Sequence, residues 1–99
     1  MDYKLIITPD AQLQLDEALT YYKNKASKKV ARNFLEEYRN TCETILEVLY
    51  FQFYFLEFRA VPMKKFPFLV FYTLNEDKKL VIIKAVFHTS QNPDKYPGQ

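Results

Sequence analysis

Residues 65–88 read KFPFLVFYTLNEDKKLVIIKAVFH, and this stretch decides the fold. Residues 65–74 form a near-continuous apolar run, the pattern of a strand buried on both faces and hence central in its sheet. Asn75-Glu76-Asp77 is a polar turn, and Lys79 to His88 returns as the last strand. On that strand Val81, Ile83, Ala85 and Phe87 share one face by strict alternation and are expected to meet a covering layer. Leu80, Ile82, Lys84, Val86 and His88 take the other face. Upstream, residues 53–60, FYFLEFRA, are expected as one extended strand, with Pro62 as its interruption. If Leu56 and Phe58 face the core, Glu57 and Arg59 turn to the same open side as Lys84 and His88. Strict parity thus predicts one polar constellation: Glu57, Arg59, Lys84 and His88.

Helical periodicity fills the chain before these strands. Residues 3–7, YKLII, read as a short β-branched strand. Thr8-Pro9-Asp10 has the form of a helix start: a hydroxyl N-cap, a proline in the first turn and a carboxylate favourable to the dipole. Ala11, Leu15, Ala18, Leu19, Tyr22 and Ala26 follow at helical spacing, predicting a helix to about residue 25. Ser27 is the next N-cap, and Ala31, Phe34, Tyr38, Cys42, Ile45 and Leu49 mark a second helix ending near residue 49. So short a connection makes the two an antiparallel hairpin. Cys42 falls on the buried stripe and reads as a small core residue. Lys23, Lys25, Lys28 and Lys29 cluster at the turn, where solvated charge is the ordinary explanation. The order β-α-α-β-β-β gives an α+β fold, a two-helix hairpin packed on one face of a mainly antiparallel sheet, in one domain spanning residues 1–99.

Composition narrows the function. With 48% hydrophobic and 17% aromatic residues in 99, the chain can build a core and is not of the disordered class. No uncharged apolar run approaches the roughly 20 residues of a membrane span, and MDYKLIITPD has no features of a secretory signal. One cysteine forms no internal disulfide, so a cytoplasmic location is expected. The only glycine is Gly98, which leaves no Gly-rich phosphate loop or dinucleotide fingerprint. One His and one Cys do not supply the ligands of a zinc site. No cofactor and no metal are expected. The net charge of +2 is too small to imply a nucleic-acid partner by itself.

Several residues stand in a recognisable order: Arg59, then Lys65-Phe66-Pro67-Phe68, Tyr72, His88 and Pro93. In that order, and in ITPDAQLQLDEALTYY near the start, the chain resembles the RelE/ParE toxin superfamily of bacterial type II toxin–antitoxin (plasmid stabilisation) systems, on its ParE-like side. In that branch an arginine precedes a basic-Phe-Pro-aromatic strand, and the final strand ends in His, a short polar tract and Pro. The resemblance implies a small growth-inhibiting toxin neutralised by a cognate antitoxin. It further implies a grip on DNA gyrase in the ParE-like case, or cleavage of mRNA on the ribosome in the RelE-like case. An inactive toxin-fold binding protein is the third possibility.

Each reading nominates residues. Gripping nominates Arg59, Lys64, Lys65 and Lys84 as target or phosphate contacts. Residues 50–58 hold six aromatics, more than two helices can cover. Tyr50, Phe51, Phe53 and Phe55 are therefore expected to form a surface for the antitoxin or a second copy of the chain. A metal-independent nuclease needs a base, an acid and cations on the phosphate. Glu57 or His88 would be the base, His88 or Tyr72 the acid, and Arg59 with Lys65 or Lys84 the clamp. Against these stand plainer roles. His88 can bond the following turn through Thr89, Ser90 or Asn92, Arg59 can pair with Glu57, and Tyr72 can simply pack.

Overall fold

A computed structural model describes residues 2–90; Asn92 and Pro93 lie outside the described residues. The elements are β1 (Lys4–Ile7), α1 (Pro9–Lys25), α2 (Lys28–Val48), β2 (Phe53–Phe55), β3 (Phe58–Pro62), β4 (Phe68–Asn75) and β5 (Leu80–His88). The five strands lie in the order β1-β5-β4-β3-β2, with β1 parallel to β5 and every other pair antiparallel. The expected α+β architecture is present, and the doubly apolar run of β4 does occupy the middle of the sheet.

Local chemistry explains the helix boundaries. Thr8 Oγ1 accepts the Ala11 N–H at 3.2 Å, with Pro9 at the first helical position and Asp10 in the first turn. Ser27 Oγ accepts the Val30 N–H at 3.1 Å and starts α2. Between the helices only Ala26 and Ser27 are non-helical, so the pair folds back on itself. Ala11, Leu15 and Ala18 of α1 and Phe34, Tyr38, Cys42 and Ile45 of α2 bury against Val61, Val70, Tyr72, Val81 and Ile83 of the sheet. Burial raises the pKa of both the Tyr38 phenol and the Cys42 thiol; Cys42 is a core residue, as its place on the stripe indicates.

Two expectations are corrected. Along β4 and β5, Phe71 pairs with Ala85 but Tyr72 pairs with Ile83, which makes Lys84 the extra residue of a β-bulge. One inserted residue inverts side-chain parity beyond it. Val81 and Ile83 face the helices as expected, but beyond the bulge Val86 joins them, while Ala85 and Phe87 turn to the reverse face. The second correction concerns residues 53–60, which are not one strand. The chain turns at Leu56 and Glu57, with Leu56 at φ 52°, and β2 and β3 form a tight hairpin. Leu56 is therefore 63% exposed, and Phe58 packs with Leu69, Phe71, Ala85 and Phe87 in a second cluster on the reverse face. That face is not a polar one bearing Glu57, Arg59, Lys84 and His88 together. Phe71, fully buried on it, gives it an apolar centre.

Candidate functional site

Arg59 is the second residue of β3 and sits opposite Tyr72 of β4. Opposed residues of an antiparallel pair share a face, so Arg59 projects on the helix side, past the end of α2. Its guanidinium carbon lies 4.0 Å from the centroid of the Phe53 ring and 5.4 Å from that of Tyr50. Nη1 donates to the Phe51 carbonyl oxygen at 2.5 Å. A planar, weakly hydrated cation suits both contacts, where an ammonium would not. Among the described residues Arg59 makes no ion pair with Glu57, which occupies the β2–β3 turn.

The segment that holds Arg59 is itself held from below. After α2 the backbone makes a γ-turn: Leu49 has φ 64° and ψ −50°, and the Tyr50 N–H donates to the Val48 carbonyl at 2.7 Å. That conformation is rare and strained for a branched residue. Tyr72 secures it. Its buried hydroxyl donates to the Leu49 carbonyl at 2.5 Å and accepts the Phe51 N–H at 3.2 Å. Burial raises the Tyr72 pKa, opposed by the Phe51 N–H and by the nearby Arg59 charge. The Tyr50 hydroxyl donates to a Glu76 carboxylate oxygen, which raises its own pKa. Phe53, Glu57, Arg59, Thr73 and Glu76 border an open cleft of about 610 Å³. Phe53 in its lining is 60% exposed, and Tyr50 beside Glu76 is 55% exposed. Phe51 packs on the main core and Phe55 on the reverse cluster.

His88 is elsewhere. It pairs across β5–β4 with Phe68 and meets that ring edge-on at 5.0 Å. From Phe68 to Tyr72 is four residues, roughly 13 Å along a strand, and Arg59 is one strand further over. Gln14, Glu17, Tyr21 and Tyr22 of α1 line the small recesses beside the imidazole. Nδ1 accepts the Ser90 N–H at 3.0 Å, and Ser90 Oγ lies 2.7 Å from the same nitrogen. A ring nitrogen that accepts a backbone N–H two residues on ties the imidazole to the following turn. This is the turn-bonding role, with Ser90 as partner.

The remaining nominees are scattered by the same register. Lys84 sits in the bulge, its carbonyl 3.5 Å from the Thr8 hydroxyl. Lys64 and Lys65 lie in the β3–β4 loop, and Lys65 Nζ is 3.5 Å from Glu37 of α2. Tyr72 is closed to substrate by burial. Sequence reasoning missed Leu56 and Glu76. Leu56 was legible only as part of a longer strand, and Glu76 only as part of a turn. Among the described residues no cluster of three or more His, Cys, Asp or Glu side chains could hold a metal ion, and no helix is long and apolar enough to cross a membrane.

Over residues 5–93 the sequence matches the family described as the ParE toxin of type II toxin–antitoxin system, parDE. No curated protein matches the sequence. Among solved structures, one described as the chromosomal ParDE TA system from P. aeruginosa superposes with a TM-score of 0.77. That match covers 89% of this chain and 97% of the other at 14% identity, and at that identity it speaks for the fold alone.

Proposed function

The chain belongs to the ParE toxin family of type II toxin–antitoxin systems, and from that premise we propose that it acts by gripping a protein target, DNA gyrase, and that a cognate antitoxin silences it. The observation that carries this reading is the Arg59 corner. A guanidinium is stacked on an exposed Phe53 and held by a carbonyl, on a segment whose geometry Tyr72 fixes. Exposed aromatics around a pre-oriented arginine are the usual anchors of protein interfaces. The antitoxin covers the same corner, with Tyr50, Phe53 and Leu56 as its apolar contacts.

The arrangement also supports gripping over cutting. Phosphodiester cleavage needs base, acid and cation within hydrogen-bond reach of one phosphate. His88 is far from Arg59 along the sheet, its Nδ1 is occupied by Ser90, and the Tyr72 hydroxyl is buried. The test is gyrase supercoiling in the presence of purified protein, beside mRNA cleavage on translating ribosomes. Inhibition of supercoiling by the wild type, lost in Arg59→Ala and retained in His88→Ala, is the expected result. Ribosome-dependent cleavage that His88→Ala abolishes would replace this reading with the nuclease one.

A further inference from the structure

The formal charge of +2 conceals a strong separation. From Ala18 to Leu35 the chain carries five basic side chains, Lys23, Lys25, Lys28, Lys29 and Arg32, and no acidic one. The other residues hold 9 basic and 12 acidic side chains, so the tip of the helical hairpin is +5 on a body of −3. All five are exposed, and among the described residues none pairs with a carboxylate. Lys28 and Lys29 occupy the first turn of α2, which has no acidic residue, and there the helix dipole opposes them. The fold gains nothing from cations at that place.

Tertiary packing keeps the other exposed lysines of this side away from the tip. Phe66 lies edge-on to Tyr22 of α1 at 5.2 Å and to Phe34 of α2 at 5.1 Å. This contact seats the loop with Lys64 and Lys65 against the hairpin. Lys65 is answered by Glu37, while Lys64 is exposed. Lys64 and Lys65 thus border the flank of α2 that bears Glu37, Glu43 and Glu47, and the unanswered basic surface is confined to the hairpin tip.

We propose that the α1–α2 tip is a contact for the phosphate backbone of duplex DNA. The chemistry selects that occupant. Lysine point charges neutralise phosphates without reading bases. Single-stranded nucleic acid is held on aromatic platforms, and within the acid-free stretch the exposed ring of Tyr21 is turned edge-on to Tyr22. A membrane surface requires an apolar face beside the charges, and the tip from Lys23 to Lys29 is polar apart from Ala26. A basic helix-hairpin tip meets the backbone and the wide major groove of B-form DNA, about 12 Å across, more readily than the narrow groove of A-form RNA. The inference is independent of which protein is gripped at the Arg59 corner.

The experiment is fluorescence anisotropy with the purified chain and a random-sequence DNA duplex across a salt titration. The matching RNA duplex and phosphatidylserine vesicles form the comparison arms. The wild type is expected to bind the DNA weakly, with steep salt dependence. Replacing Lys23, Lys25, Lys28 and Lys29 together by Gln should flatten the log–log salt slope by about 3–4 and lower low-salt affinity at least tenfold, on about 0.9 of slope per phosphate contact. Lys4→Gln with Lys78→Gln should leave the slope unchanged. The double variant Lys28→Gln/Lys29→Gln should raise the melting midpoint, because it relieves the dipole conflict, and should by itself flatten the slope by about 2, so lost binding is not lost folding. A wild-type slope in the four-lysine variant overturns the proposal, as does binding confined to the vesicles or the RNA. A lowered midpoint in the double variant overturns it too, since the lysines would then serve the fold.

Discussion

The Arg59 corner and the His88 corner lie on the same sheet, and each holds a side chain that a sequence reader would nominate for chemistry. They differ in what supports them. Arg59 is stacked on Phe53 and bonded to the Phe51 carbonyl, just beyond a strained turn that the buried Tyr72 hydroxyl pins. His88 turns one nitrogen back to its own chain two residues on and rests its ring against Phe68. Strain at Leu49 that is overcome by a buried hydrogen bond suits a presented site, whereas a local bond from a strand end suits a finish to the strand. The difference teaches that residue type alone does not mark function; the supporting structure does.

The comparison can be broken most directly at Tyr72. Tyr72→Phe leaves the Leu49 carbonyl and the Phe51 N–H without their partner, and the expected loss is about 2–3 kcal/mol in urea unfolding. Growth inhibition by the variant should fall more than its stability alone explains. If stability is unchanged, the turn is not held by this hydroxyl and the contrast between the corners loses its basis.

Arg59→Ala is expected to weaken target binding by about tenfold, or 1.4 kcal/mol, with little change in unfolding. Arg59→Lys should recover only a fraction, because an ammonium keeps the charge without the planar stacking surface. Full recovery in a binding assay would reduce the corner to a point charge.

Raised pH sharpens the contrast less strongly. Burial raises the pKa of Tyr38 and Tyr72 from the ordinary 10.0, and that of Cys42 from 9.0. Above those ordinary values the unfolded chain releases protons that the folded chain keeps. The stability these groups contribute is therefore fully present below about pH 9 and is lost as pH rises. Melting midpoints measured from neutral to strongly alkaline pH should fall only in that upper range, and less in Tyr72→Phe than in wild type. The smallest effect belongs to His88→Ala: about 1 kcal/mol of stability or less, from one ring contact and one turn bond, with supercoiling inhibition retained.

Much of the fold was legible because it is written locally. Thr8 and Ser27 announced both helices, the 3.6-residue spacing from Ala11 to Leu49 gave their inner faces, and the doubly apolar 68–74 gave the central strand. The site was far less legible. Alternation put His88 and Arg59 on the open face, yet both lie on the helix side, because the turn at Leu56 inverts the parity of one and the bulge at Lys84 that of the other, and four residues of β4 separate them. Nothing in VIIKAVFH distinguishes the extra residue Lys84 from its neighbours. Leu56 at a positive φ is equally silent in sequence, since the hairpin that forces it is set by the pairing of Phe53 with Arg59.

By itself the sequence determined the capped helical hairpin, the first strand, the apolar strand at the centre, the last strand and the resemblance to ParE-like toxins, because each depends on neighbours a few residues apart. Only the tertiary structure decided which side chains share a surface: the bulge at Lys84, the turn at Leu56, and the enclosure of Arg59 by Tyr50, Phe51 and Phe53. The physical reason is register. A strand changes face with every residue, so one unpaired position, fixed by contacts far along the chain, redistributes every side chain beyond it.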